Sequence, residues 1–257
     1  MKILVCIDDT DNIDSRGTGT LAEMIAGAIE EHNWGKCSWI TRHQLLIDPA
    51  IPYTSHNSSM CFAADIENGC LQQIIDYAAE FLVRESQVEA DPGLCVTVVD
   101  DSVDKQSLID FGYKAKREVL TKADAYSLAR KLNIHLSEHG GNGQGIIGAL
   151  AGAGLRLSYN DGRFKGRLKI DAPDNIISVK DFCAHPAVDE VRSLEGACLE
   201  AGEFVLLENM VKPILIEGKT VILVQQLNDA NGRALWKTCS KNQLSAYEEM
   251  RTFVADK

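Results

Sequence analysis

The chain has 257 residues, 45% of them apolar, and a formal net charge of −11. That is enough for one large domain or two smaller ones with a real core. It holds no apolar run long enough to span a membrane and no C-x-x-C pair of the kind that builds a structural zinc site, and its acidic balance disfavours non-specific nucleic-acid binding through bulk electrostatics.

The segment Met1–Cys6 runs into acids by Asp8, so it reads as a strand and not as a signal peptide. The eight cysteines are scattered, several of them (Cys6, Cys61, Cys95) inside apolar runs where a thiol behaves as a small buried hydrophobe. A reducing, cytoplasmic setting is expected.

Lys2–Ile7 is the first expected strand, and it ends in Ile7-Asp8-Asp9-Thr10-Asp11, three carboxylates in four positions. Like charges this close repel, so the cluster needs solvent or a counter-ion. Two readings stand: an acidic turn facing water, or a site for a hard cation such as Mg2+, which takes carboxylates together with substrate phosphates. Leu21, Met24, Ile25, Ala28 and Ile29 then fall on one helical face, and Thr20-Leu21-Ala22-Glu23 has the form of a capping box. Thr18 lies between Gly17 and Gly19, where an acceptor hydroxyl or a bound phosphate would sit close to a helix N-terminus.

Ser38–Ile47 reads as a strand, 48–59 as a Pro-containing loop, and Met60–Ile66 as another strand. The loop residues Pro52-Tyr53-Thr54-Ser55-His56-Asn57-Ser58-Ser59 offer many hydrogen-bonding groups to a phosphate or ribose, or else simply face water. Ile74, Ile75, Ala78, Phe81 and Leu82 form a second helical stripe, Asp91-Pro92-Gly93 a turn, and Leu94–Val99 a strand. A helical region follows from about Ser107 to Leu132, with Lys114 and Lys116 placed to offset phosphate charge or to be solvated.

Glu138–Ala151 carries a literal G-x-G-x-x-G at Gly143, Gly145 and Gly148 opening an apolar helix. Bare N–H groups there would suit an anion. No strand is read directly before it and no acid follows at the dinucleotide spacing, so it is neither a Rossmann fingerprint nor a Walker A loop. Leu155–Tyr159 and Arg163–Ile170 flank Asn160-Asp161-Gly162, a hairpin signal. Arg156, Arg163, Lys165, Arg167 and Lys169 would make that hairpin the one basic stripe, either for a polyanion such as RNA or for edge protection. From about Ala172 short β runs dominate (Phe204–Leu207, Ile214–Ile216, Val221–Val224), with a helical tail near Asn242–Val254.

The ordered set Ile7-Asp8-Asp9-Thr10-Asp11, Arg16-Gly17 leading to Thr18, Leu21-Ala22, Asp48-Pro49-Ala50-Ile51-Pro52-Tyr53 with Asn57, Asp91-Pro92-Gly93, Lys114-Ala115 with Val119-Leu120, and Gly145–Ala151 resembles the kinase-like N-terminal region of archaeal tRNA-isoleucine 2-agmatinylcytidine synthetase. The resemblance covers roughly residues 1–155. It implies an ATP- and Mg2+-using domain in which Asp8, Asp9 and Asp11 hold metal and triphosphate and Thr18, or Thr20 by distance from Gly17, accepts phosphate. The chain departs from the family at Thr54-Ser55-His56, where the family carries a lysine–threonine–arginine run. No segment of residues 160–257 is recognisable from sequence as the agmatine-binding region or zinc ribbon of that family, which puts the tRNA-modifying reaction in doubt.

The expected fold is α/β, with α+β open: a mixed-sheet nucleotide-handling domain over residues 1–171, then a small β-rich domain over 172–257. The expected function is a Mg2+-dependent, ATP-using phosphotransferase or ATPase with Asp8, Asp9, Asp11, Thr18 and Lys114 at the chemistry and Asn57, Ser58, Gly143, Gly145 and Gly148 on the nucleotide. The alternatives are a non-catalytic nucleotide- or anion-binding module, and an RNA-binding accessory protein using the Arg156–Lys169 hairpin.

Overall fold

Ile3, Val5 and Ile7 alternate with Leu4 and Cys6 in the first strand, and all five are buried, so both faces of this strand must be covered. The computed structural model describes residues 1–51, 57–101, 103–208, 211–228 and 234–254. The chain divides into two units, Met1–Ser158 and Tyr159–Lys257. The protein is mixed α/β, and no helix among its described residues is long and apolar enough to cross a membrane.

The first unit contains, in chain order, β1 (Lys2–Asp8), α1 (Thr18–Glu31), β2 (Gly35–Cys37), β3 (Thr41–Gln44), β4 (Ser58–Ile66), α2 (Leu71–Glu85), β5 (Gly93–Val98), α3 (Lys105–Lys114), α4 (Lys122–Lys131), β6 (His135–Glu138) and α5 (Gly145–Leu157). Its strands run in the order β6-β5-β1-β4-β3, with β2 also on β4, and these pairings are antiparallel. The α1 and α2 stripes pack on Ile3, Val5, Ile7, Phe62 and Val96. On the other face Leu4, Cys6, Cys61 and Cys95 meet α3, α4 and α5. The unit is therefore a helix–sheet–helix sandwich. Each fully buried Ile, Leu or Phe contributes about 1.5–3 kcal/mol to it by leaving water.

Helix α5 reaches the sheet closely because it is built of small residues. A Cβ on Gly93 would overlap the Gly145 backbone, and one on Gly154 would overlap the Leu108 carbonyl. One on Gly112 would lie 2.8 Å from the Ala151 carbonyl oxygen.

Several sequence expectations change here. The Thr20–Glu23 capping box is not formed: α1 begins at Thr18 after the N-cap Gly17, so Thr20 is already inside the helix. The capping box that does form is Thr121–Asp124, at the start of α4. Met24 stays 38% exposed, outside the buried stripe. Ser38–Ile47 is strand only over Thr41–Gln44. A strand, β6, does precede the glycine-rich segment, but it pairs antiparallel with β5 and does not make a Rossmann unit.

The second unit contains β7 (Arg163–Phe164), a short 3-10 turn at Pro173–Asn175, β8 (Ile176–Ser178), α6 (Val179–Cys183), β9 (Glu190–Ser193), β10 (Phe204–Leu206), β11 (Ile214–Ile216), β12 (Lys219–Asn228), β13 (Ala234–Thr238) and α7 (Lys241–Val254). Antiparallel pairs join β12 to β11 and to β13, and parallel pairs join β9 to β12 and β10 to β13. Phe182, Val191, Val205, Ile222 and Val224 form one core, and Ile214, Ile216, Leu223 and Leu244 form another.

The hairpin expected around Asn160-Asp161-Gly162 does not exist. Leu155 and Leu157 belong to α5 and are buried with its core, while β7 pairs with β11. Alternation over five residues is too short to separate a strand from the last turn of a helix. The basic stripe goes with it. Arg156 is buried and donates to Thr41 Oγ1 (3.2 Å) and Ser38 Oγ (3.0 Å), and the buried Arg163 pairs with Glu248 at 3.1 Å. Only Arg167 and Lys169 of the five are exposed.

Candidate functional site

The end of β1 opens into a cavity of about 440 Å3. Asp8, Asp9, Asp11 and Thr18 line one end, with Asn57, Ser58, Gly145 and Gly148 beside them. Leu45, Ile51, Ala115, Val119, Leu120 and Ile147 give it an apolar wall. Each of the three acids reaches the cavity for a different local reason.

Asp8 closes β1 and is 8% exposed. A Cβ on Gly148 would overlap its Oδ2, so glycine at 148 is what lets α5 come down beside this carboxylate. Burial, then the charges of Asp9 and Asp11, push the Asp8 carboxyl well above the usual range, opposed only by a hydrogen bond from the Asp9 backbone. Asp9 takes the left-handed conformation (φ 52°), which costs a non-glycine residue of order 1 kcal/mol and turns the chain sharply off the strand. Its carboxyl is pushed up to about 6, by burial first and then by Asp91 and Asp11. Among the described residues no lysine or arginine is paired with Asp8, Asp9 or Asp11.

Asp11 points at the start of α1. Its Oδ2 accepts the Thr18 N–H (3.2 Å) and its Oδ1 accepts the Thr18 hydroxyl (3.1 Å). It thus does from a distance what an N-cap side chain does. The Thr18 oxygen in turn accepts from the Thr10 hydroxyl at 3.1 Å, and Thr18 is 5% exposed.

The glycine motif is explained by close packing at each of its positions. Gly143 (φ 76°) stands where a Cβ would overlap the Glu138 carboxylate. A Cβ on Gly145 would come 2.9 Å from the Asp8 carbonyl oxygen, and the Gly145 N–H donates to the Asp91 carbonyl at 3.0 Å. Gly145 and Gly148 line the cavity; Gly143 is not among its lining residues. Asn57 donates its amide to the Leu46 carbonyl (2.7 Å), fixing the floor, and Ser58 accepts from Arg42 Nε (3.0 Å). Residues Pro52 to His56, singled out for their hydroxyls and imidazole, lie outside the described residues.

Lys114 does not line the cavity; its Nζ lies 3.6 Å from Glu118 on the surface. Lys122 lines it instead. Asp91, given no site role from sequence, is a fourth carboxylate facing Asp9. The missed signals were an acid two residues before a buried strand, and a Thr-x-x-Asp box that places Lys122 at the first position of a helix.

A hard divalent cation fits the donor chemistry of Asp8 and Asp9: carboxylate oxygens of like charge, one buried and one half-buried, without a paired lysine or arginine among the described residues. Among the described residues no group of three or more His, Cys, Asp or Glu side chains forms a protein-only cage. Any such ion would need ligands beyond these side chains, and Mg2+ commonly takes them from water and substrate phosphates.

A helix–sheet–helix unit with an acidic, partly apolar cavity at a strand end is a class of architecture shared by many small-molecule sites. No family model matches the chain. Over part of its length it does resemble the 2-agmatinylcytidine synthetases of isoleucine tRNA, named TiaS. It is 34% identical over 157 residues to the TiaS of Haloquadratum walsbyi, covering 59% of this chain and 32% of that one. It is 26% identical over 162 residues to the TiaS of Methanosarcina acetivorans, covering 61% and 36%. The chain thus spans about a third of the length of the curated relatives it matches. Among solved structures it is similar to a tRNA fluorescent labeling enzyme, with 28% identity and a TM-score of 0.52 over 60% of this chain and 36% of that one. It also shares the fold of TiaS in a complex with its isoleucine tRNA and ATP, at 22% identity and a TM-score of 0.53 over 77% and 48% of the two chains.

Proposed function

We propose that the first unit binds ATP in this cavity and moves its γ-phosphoryl group, to a hydroxyl or to water. The observation that carries the reading is the pair of carboxylates, buried Asp8 and half-buried Asp9, with no lysine or arginine paired to them among the described residues, beside the Thr18–Asp11 hydrogen bond. Ionising them in this setting costs stability, and a cation carrying a polyphosphate offsets that cost. The relatives support the nucleotide half: one solved neighbour is a complex with ATP and tRNA, and the curated ones are named for a tRNA modification.

In this reading Asp8 and Asp9 would hold Mg2+, which would supply charge neutralisation to the triphosphate. Leu45, Ile51, Val119 and Ile147 offer an apolar wall to the rest of the ligand. Asp11 orients the Thr18 hydroxyl and takes its proton as the Thr18 oxygen bonds to phosphorus and the β–γ bridge breaks to leave ADP. Phosphoryl transfer asks little more of a protein than this positioning and charge compensation.

The test is incubation with γ-labelled ATP and Mg2+, reading label on protein, on added tRNA and as free phosphate. Label or turnover that Asp8→Asn abolishes supports the reading, and the labelled species names the acceptor. ATP-dependent thermal stabilisation with no turnover would make the unit a nucleotide-binding module instead. No stabilisation and no turnover would end the nucleotide reading.

A further inference from the structure

Among the described residues that line the cavity, Lys122 is the one lysine or arginine. Its Nζ lies 2.8 Å from the Glu138 carboxylate and 2.6 Å from the Asn142 carbonyl oxygen. Glu138 also accepts from the Tyr126 hydroxyl at 2.7 Å, and a Cβ on Gly143 would overlap its carboxylate. Asn142 donates its N–H to Asp91, the fourth acid at the β1 end of the site. One lysine therefore ties the first turn of α4 to the glycine-rich loop, and that loop to the acids.

Lys122 gains little for α4 from its place. A cation at a helix N-terminus opposes the helix dipole. A polyphosphate in this cavity would bring several more negative charges beside Asp8, Asp9, Asp11 and Asp91. A divalent ion can neutralise them only on the carboxylate side. On the α4 side the sole available positive charge among the described lining residues is Lys122, on a flexible four-carbon stem with three donors and a side chain 31% exposed. A phosphate oxygen is an acceptor of the same kind as the Glu138 carboxylate, so the exchange replaces one charge-assisted hydrogen bond by another.

Resting on the nucleotide reading, we propose that Lys122 is the phosphate-binding cation of the site and that Glu138 is its resting partner, released when nucleotide binds. Glu138 and the nucleotide phosphate compete for the same ammonium group. Binding thereby unties α4 from Asn142, which couples the ligand to the glycine-rich loop.

The competition gives the two members of one ion pair opposite effects. Affinities for Mg2+–ATP and for adenosine would be measured on the full chain for wild type, Lys122→Met, Glu138→Gln and the double variant, with circular dichroism confirming the fold of each. Losing a charge-assisted hydrogen bond, Lys122→Met weakens ATP about tenfold or more and leaves adenosine unchanged. Glu138→Gln, which keeps the shape and the Tyr126 hydrogen bond, tightens ATP a few-fold by freeing the lysine. The double variant behaves like Lys122→Met alone. If both single variants weaken ATP, or if Lys122→Met weakens adenosine as much as ATP, the pair is a structural tie and the proposal is wrong. The Glu138→Gln sign decides the matter even if Lys122→Met does not fold. ATP binding that survives Lys122→Met overturns this proposal alone, whereas absence of ATP binding by wild type takes down the nucleotide reading with it.

Discussion

The two units handle buried acid in opposite ways. In the first, Asp8 and Asp9 sit together with no paired lysine or arginine among the described residues, and their carboxyls are pushed up, Asp9 to about 6. In the second, Glu190 lies between Arg192 Nε (2.6 Å) and Lys219 Nζ (2.8 Å), with Glu217 on the far side of Arg192 (3.0 Å), and its carboxyl is pulled down to about 2. Glu190 is a settled structural group whose charge is already matched within the fold. Asp8 and Asp9 carry an electrostatic cost that no lysine or arginine paired with them offsets among the described residues. Perturbed acids without a matching charge are the kind that ligand sites concentrate, which is the basis of the nucleotide proposal.

The widest separation between the units is expected in activity. Asp8→Asn should lower ATP turnover or self-labelling by about two orders of magnitude or more, the scale of losing one preorganised electrostatic contact, while Glu190→Gln leaves it unchanged. Equal effects from both would erase the distinction. Glycines come next. Gly148→Ala pushes a methyl against Asp8 and should destabilise the first unit by about 1–3 kcal/mol in urea titration and weaken nucleotide binding. Gly196→Ala in the second unit, where φ is +95° but nothing lies within 4 Å of the new methyl, should cost only about 1 kcal/mol and leave binding alone.

The pH dependence of stability sharpens the contrast further, since the two signs differ. Asp9 binds its proton more tightly folded than unfolded, so its contribution is fully present below about pH 4 and is lost as pH rises through about 6. Asp9→Asn should therefore raise the melting temperature at pH 7.5 and have little effect at pH 4. Glu190 is the reverse: its contribution is present above its unfolded value and is lost as pH falls toward about 2. Glu190→Gln should lower the melting temperature at pH 7.5, and the deficit should shrink below pH 4. The smallest effect belongs to Thr18→Val, which removes the hydroxyl partner of Asp11 but keeps its N–H partner. A loss of about 1 kcal/mol is expected from that one hydrogen bond. Self-labelling disappears with it if Thr18 is the acceptor.

Much of the first unit was legible because its signals are local. The alternation of Ile3 to Ile7 and the stripe from Ile74 to Leu82 each fix an element and the face it buries, and the buried positions match in both. Asp8, Asp9 and Asp11 follow one another in the chain, so their common place at a strand end needed no folding to see. Where two local signals compete, the chain alone does not choose. Thr20-x-x-Glu23 lost to Gly17 because Asp11, six residues before that glycine, already satisfies the first N–H of α1. Leu155–Tyr159 fits both a strand and a helix end, and the choice fell to the apolar bed that α3 and the sheet offer to Leu155 and Leu157. Arg156 and Arg163 look like a surface stripe in one dimension, yet each finds its partner (Thr41 or Glu248) more than 80 positions away.

By itself, then, the order of residues determined that a short apolar strand delivers three carboxylates to one turn, and that small residues open a later helix. Those are matters of backbone period and of adjacency along the chain. Only the tertiary structure decided that Asp91 faces Asp9, that Lys122 lines the same cavity, that the glycines bring α5 down beside Asp8, and that Lys114 lies outside it. Charge and burial act through distance in space, and distances between segments far apart in sequence are set by packing the core, which no local pattern encodes.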